Sequence, residues 1–252
     1  MEQWPILFGA GLLAGAMNAL AGGGSFVTLP ALIAAGVPSV QANASSTVAL
    51  WPGGAASALT YHQGGFRPVC GVASRALLAV TLVGGLAGSL LLLWTPSRAF
   101  DVILPWLLLF ATLALAFARR LAAMLRGRIA GRTGPVLAAQ FVLGIYGGYF
   151  GGAVGLMMVA MWAVLGESDI KALNAPRTFL VTAANTVAVL AFVLAGAVRW
   201  PQTLVMLAGG LIGGVVGARL GRVVSSAVAR VMTLAFTSAI TAVFFARAYL
   251  AG

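Results

Sequence analysis

The chain has 252 residues, 61% of them hydrophobic and only 8% charged, with a mean hydropathy of +1.04. A soluble globular domain is about 25% charged, so this composition excludes one and points to a bilayer. The formal net charge of +11 would suggest nucleic acid in a soluble chain. No basic patch here is interleaved with aromatics, so nucleic acid is not an expected partner; cationic loops that fix membrane topology account for the charge.

In chain order the apolar elements fall at 4–36, 42–62, 70–94 and 99–120, then at 134–165, 171–197, 202–223 and 227–250. Runs such as Leu77–Trp94, Val102–Ala118 and Val181–Val198 approach or reach the roughly 18–20 apolar residues that cross the hydrocarbon. None alternates like a barrel strand, which predicts an all-α polytopic membrane protein. The first element is interrupted by "ALAGGGSF" at 19–26. Ala19-Leu20-Ala21 has the small-x-small form of a signal cleavage site, but a basic leader is missing. A similar break also recurs deep in the chain as "YFGGAVG", Tyr149–Gly155, where no signal peptide would put it.

That recurrence belongs to a longer repeat. "AGGGSF" (21–26) matches "FGGAVG" (150–155), and "QANASST" (41–47) matches "ALNAPRT" (172–178). "YHQGGFRP" (61–68) matches "FVLAGAVRWP" (192–201), and "GGLAGSLLLLWTPS" (84–97) matches "GGVVGARLGRVVSS" (213–226). Ordered landmarks at a nearly constant offset predict a duplication. The expected organisation is a first transmembrane repeat at 1–118, an Arg-rich linker at 119–133 and a second repeat at 134–252.

The basic residues decide the path of each broken element, because the cytoplasmic side holds the excess of Lys and Arg. If each break turns the chain back to its starting side, twelve of the fifteen basic residues share the linker's side. Only Arg98, Arg199 and Arg247 lie opposite. A single crossing per broken element gives nine against six. The first arrangement predicts two inverted repeats, each a Gly-broken helical hairpin plus three transmembrane helices. Inverted repeats with discontinuous helices are the signature of secondary transporters, whose substrate sits near the midplane where the breaks meet.

Breaking a helix in lipid frees backbone polar groups that need partners. Ser25 is expected to cap the helix beyond Gly22, Gly23 and Gly24, whose N–H groups would then suit an anion. Gly151, Gly152 and Ala153 offer the same geometry in the second copy; the alternative is that these glycines serve close packing. Asn43 and Asn174 are expected at helix starts, with Ser45, Ser46 and Thr47, or Arg177 and Thr178, in the first turn. Hydroxyls, N–H groups and one guanidinium suit an oxyanion. Ordinary capping, with Arg177 among lipid headgroups, is the competing reading.

Gly209, Gly213, Gly217 and Gly221, and likewise Gly84 and Gly88, recur at helical spacing and predict close helix contacts. Cys70 is expected as a small apolar residue near a helix start, Asp101 as a helix cap, His62 as a polar interface residue and Glu167 and Asp169 in a loop with Lys171. The absences narrow function further. The four carboxylates lie outside the span centres, which speaks against a buried acidic proton relay. One His and one Cys are too few for a metal site, and no nucleotide fingerprint is present. An enzyme is therefore not expected, and neither is a cofactor; a proton or sodium ion would serve as coupling ion.

"GLLAGAMNALAGGGSFVTLPALIAAGVPSVQANASST" resembles the N-terminal signature of the TauE/SafE (sulfite exporter, TSUP) transporters: a Gly-rich break, a helix containing Pro30, a short "AGVP" loop and an Ala/Asn/Thr helix start. "GGFRP" and "GAVRW" fit the two halves of that family, and the likeness extends from about residue 9 to 250. The resemblance implies secondary transport of a small, often sulfur-containing anion such as sulfite, sulfoacetate or a related organosulfonate. It also implies a multi-pass protein of the plasma (inner) membrane. With the linker cytoplasmic, the expected partners are the small anionic substrate, the bilayer and, as a candidate homodimer, a second copy. A passive anion channel of the same fold is the alternative function. "NAPRT" departs from "NASST", so the two half-sites are expected to differ chemically.

Overall fold

The structure is a computed structural model that describes residues 3–20, 23–62, 68–125, 133–165, 167, 173–220, 223 and 226–249. Among these residues the chain forms ten helices: α1 (Gln3–Leu20), α2 (Ser25–Ala34), α3 (Ser39–His62), α4 (Ser74–Trp94) and α5 (Ser97–Leu125), then α6 (Thr133–Tyr149), α7 (Val154–Val164), α8 (Asn174–Leu194), α9 (Trp200–Leu220) and α10 (Ser226–Tyr249). The one strand-like feature among them is an isolated bridge between Val69 and Val72. Five of the helices, α4, α5, α8, α9 and α10, contain stretches long and apolar enough to cross a membrane, while α2 and α7 are short apolar helices. The all-α reading is thus what the chain adopts.

Several boundaries differ from the sequence expectation for identifiable reasons. Helix α3 starts at Ser39, because the Pro38 carbonyl already accepts the Ala42 N–H at 2.8 Å. Asn43 therefore lies one turn inside α3 and not at its start. The α4 start moves to Ser74 because 69–72 form a tight turn closed by paired Val69 and Val72 backbone bonds. Helix α5 runs on to Leu125, into the expected linker, since its Arg, Leu and Ala residues are strong helix formers. Asp101 is the fifth residue of α5, beyond the first turn, and does not cap it.

The helices divide into two compact units. Unit 1 comprises 1–53, 93–112 and 192–252; unit 2 comprises 54–92 and 113–191. Each draws on both sequence halves.

In unit 1, α1 packs closely on α9. A Cβ on Gly213 would collide with the Leu12 carbonyl, and one on Gly217 with the backbone of Ala16. Later positions of α1 meet later positions of α9, so the two helices run parallel. In unit 2, α6 packs in the same way on α4. A Cβ on Gly84 would lie 2.6 Å from the Phe141 carbonyl oxygen, and one on Gly88 would collide with the Ile145 carbonyl. The two sets of contacts correspond at one offset of 129 residues, which relates Leu12 to Phe141, Ala16 to Ile145, Gly84 to Gly213 and Gly88 to Gly217. The small residues expected to serve close packing do so here, where dense van der Waals contact holds helices together in lipid. Gly221 lies outside the described residues.

Both broken elements fold back on themselves. In unit 2, the Gln140 amide of α6 reaches the Met158 sulfur of α7 at 3.8 Å. A continuous helix would hold those residues about 27 Å apart at 1.5 Å per residue. In unit 1, Ala14 and Met17 of α1 share a buried cluster with Val27 of α2. Each break is therefore the tip of a helical hairpin.

Candidate functional site

The first break, in unit 1, is closed by its own hydrogen bonds. Gly23 takes φ +93°, a conformation that favours glycine, and turns the chain after α1. Gly24 occupies the N-cap position of α2 without a side-chain cap, and Ser25 is the first helical residue; the expected Ser25 cap is not formed. The side chain that ties the turn is instead Asn18, whose Oδ1 accepts the Gly24 N–H at 2.8 Å. The Phe26 N–H goes to the Gly23 carbonyl, and the Val27 and Thr28 N–H groups go to that of Gly24. A tight i→i−3 turn thus takes up donors that an anion would need.

The hydroxyls around this break are similarly committed. Thr28 and Ser46 are both buried and share a hydrogen bond of 2.5 Å between α2 and α3. Thr47 donates to the Asn43 carbonyl of its own helix at 2.9 Å. Ser45 accepts the Arg199 N–H at 2.9 Å, where α9 begins, and the Arg199 guanidinium donates to Gln41 at 2.7 Å. Asn43 is buried within α3. Gly22 lies outside the described residues.

The second break, in unit 2, is built differently. The Phe150 and Gly151 N–H groups both go to the Tyr146 carbonyl, and Gly151 leaves α6 at φ +77°. Ala153 is the N-cap of α7 and holds the left-handed region at φ +56°, ψ +10°. An L-residue pays about 1–2 kcal/mol there, which the surrounding packing must offset. The Leu156 and Met157 N–H groups take the Ala153 carbonyl. Those of Val154 and Gly155, ahead of them, belong to the set that every helix start leaves without an intrahelical acceptor.

One face of α8 lines this tip. A Cβ on Gly155 would lie 3.3 Å from Arg177 Cδ and 3.4 Å from Val181 Cγ2. One on Gly151 would lie 3.9 Å from Asn185 Oδ1. Arg177, Val181 and Asn185 are spaced by four, so they share a face of α8. The absence of a side chain at Gly155 is what lets the Arg177 stem lie against the first turn of α7, where the helix dipole is positive. An anion at that helix start would find the Arg177 side chain beside it. Asn185 Oδ1 is buried and has no hydrogen-bond partner among the described residues.

Within unit 2, then, the structure gathers Gly151, Gly152 and Arg177 around one helix start. Asn174 is the exposed first residue of α8, and Thr178 follows Arg177 half-buried in the same turn. Asn18 and Asn185 escape sequence reasoning, although each is an amide within an apolar helix close to a Gly-rich break. Among the described residues no group of three His, Cys, Asp or Glu stands ready for a metal.

The remaining singled-out residues have structural partners. Glu167 accepts the Cys70 N–H at 3.2 Å, and the Cys70 thiol donates to the Trp162 carbonyl at 3.4 Å. Burial, reinforced by the Glu167 charge, pushes the Cys70 thiol from its ordinary value near 9.0 up to about 11. Asp169 and Lys171 lie outside the described residues, as does Arg67, and the His62 side chain is likewise not described.

Comparison with known proteins agrees with this architecture. The model of the family "Sulfite exporter TauE/SafE" matches residues 7–244. The chain is 31% identical over 209 residues to the "Probable membrane transporter protein YfcA" of Escherichia coli K12, covering 82% of this chain and 77% of that protein. It is 31% identical over 213 residues to a "Probable membrane transporter protein" of Haemophilus influenzae, covering 82% and 81%. A Sinorhizobium relative, "Probable membrane transporter protein ORF9", is 27% identical over 213 residues, covering 83% and 80%. No solved structure matches. With its polytopic helices and a family match over nearly its whole length, the chain belongs to the TauE/SafE family, and it is a multi-pass membrane transporter and not an enzyme.

Proposed function

We propose that this chain is a secondary transporter that moves a small, sulfur-containing oxyanion, such as sulfite, sulfoacetate or a related organosulfonate, across the plasma membrane. The observation that carries the reading is the Arg177 stem seated on Gly155 in the first turn of α7. Helix N–H groups and a planar guanidinium together match the spread charge of a sulfite or sulfonate group. Gly151, Gly152 and Arg177 form the anion site, with Asn174 and Thr178 at the start of the same helix α8. The family name points to sulfite as the first anion to test.

The hairpins support a membrane path in which each returns to its starting side and three crossings follow in each sequence half, so that the two halves run in opposite orientation. Arg119, Arg120, Arg126, Arg128 and Arg132 then lie on the cytoplasmic side with most of the other basic residues. Such inverted repeats with broken helices fit a carrier that alternates its access.

The test is a substrate screen in proteoliposomes under imposed proton and sodium gradients. Accumulation of one sulfur oxyanion above its equilibrium level, collapsed by the matching ionophore, is the expected result. Flux that only runs downhill identifies a passive anion channel and overturns the carrier reading.

A further inference from the structure

The core of unit 2 contains polar groups that the transport site does not use. Three helices contribute residue pairs one turn apart: Leu77 and Thr81 from α4, Val136 and Gln140 from α6, Met158 and Trp162 from α7. Leu77, Val136, Met158 and Trp162 belong to one buried cluster, and Gln140 and Thr81 sit one turn further along the same helices. Gln140, Thr81, Met158 and Trp162 are all 0% exposed. The Gln140 amide donates to Thr81 Oγ1 at 2.8 Å and to the Met158 sulfur at 3.8 Å. Thr81 spends its single proton on the Leu77 carbonyl at 2.7 Å. The amide orientation is thereby fixed, since turning it over would set Gln140 Oε1 against an oxygen with no proton to give. In this cluster two buried atoms, the acceptor Gln140 Oε1 and the donor Trp162 Nε1, have no hydrogen-bond partner among the described residues.

We propose that the α4–α6–α7 core binds an internal water molecule that donates to Gln140 Oε1 and accepts from Trp162 Nε1. The chemistry selects the ligand. A cation is repelled by the indole N–H, and an unprotonated anion by the amide carbonyl. A water both donates and accepts, and buried polar groups in folded chains are regularly satisfied in this way. The site belongs to unit 2 alone, because the offset of 129 residues places Gly11, Gly210 and Ile33 where Gln140, Thr81 and Trp162 would be needed. In unit 1 the corresponding helix contact is backbone against backbone, with Gly11 on Met206. The water joins α7, the helix whose start carries Arg177's neighbour Gly155, to α6 through hydrogen bonds that can break and re-form. The inference does not depend on which substrate is carried.

Hydroxyl-radical footprinting with an X-ray pulse tests it on the full chain in nanodiscs, because radicals formed from ordered internal waters modify buried neighbours. Met158 and Trp162 should be oxidised several-fold faster than Met206, which is also 0% exposed but lies in the apolar contact of unit 1. Gln140→Leu should bring Met158 labelling down to the level of Met206. Equal protection of Met158 and Met206 in the wild-type chain overturns the proposal, and so does Met158 labelling that persists in Gln140→Leu. The wild-type ratio decides the matter even if the variant fails to fold.

Discussion

The two hairpin tips solve one problem in opposite ways. Both must reverse an apolar chain and both begin a short helix, α2 or α7. The first tip satisfies itself: Asn18 takes the Gly24 N–H, the Gly23 carbonyl takes that of Phe26, and Thr28 and Ser46 pair off. The second holds Ala153 in the left-handed region and sets the Arg177 stem against Gly155 in the first turn of α7. The lesson is that a duplicated motif need not keep a duplicated role. In this chain Asn18 ties the first tip, and an arginine stem packs against the second.

The largest expected effect probes what the two units have in common. Gly88→Val drives a side chain into the backbone of Ile145, as Gly213→Val does into that of Leu12. Overpacking of this kind costs about 1–3 kcal/mol and more where backbone cannot yield. Both variants should lose the monodisperse peak in fluorescence-detected gel filtration, whereas Gly214→Ala, which meets nothing, should keep it. Survival of one but not the other would show that the units are less alike than their contacts.

Next, Arg177→Gln should weaken anion affinity about ten- to a hundred-fold, in keeping with roughly 1.5–3 kcal/mol for a hydrogen bond to a charged group. Arg199→Gln, exposed at the start of α9 in unit 1, should leave affinity nearly unchanged. Equal losses in both would erase the distinction between the tips. A smaller effect is expected at Asn18. Asn18→Ala leaves the Gly24 N–H without its acceptor, at a cost of about 1–3 kcal/mol. Thermal midpoint should fall while anion affinity in the folded protein stays, and a lost affinity with an unmoved midpoint would make the first tip the binding one.

The smallest effect concerns Cys70. With its thiol held up at about 11, the thiolate fraction near neutral pH is about a hundred-fold below that of an ordinary cysteine near 9.0. Iodoacetamide should therefore modify it slowly, and Glu167→Gln, which removes a charge that raises the value, should speed the reaction. The folded chain keeps the proton longer than the unfolded one, so any stability from this group is present below pH 9 and fades between 9 and 11. A rate matching free cysteine at neutral pH would contradict the burial of the thiol.

Much of the fold could be read from the sequence because its strongest signals are compositional. Apolar runs marked the helices, and glycines at 22–24 and 151–152 marked the breaks. What could not be read was pairing between distant helices. Nothing local says that α1 lies on α9 and α6 on α4, since Gly84 and Gly213 announce a close contact without naming its partner. Single amides were missed for the same reason. Asn18, Gln140 and Asn185 are isolated polar residues in helices, and only their neighbours in space reveal what they do. Arginine-rich sequence also misled at α5, where charge suggested a linker and helix propensity prevailed.

The most direct test of the central claim is uptake of radiolabelled sulfite into proteoliposomes carrying the wild-type chain, Arg177→Gln or Arg199→Gln. The wild type and Arg199→Gln should accumulate sulfite uphill, with half-saturation displaced about ten-fold or more in Arg177→Gln. Accumulation by Arg177→Gln at wild-type affinity would contradict it.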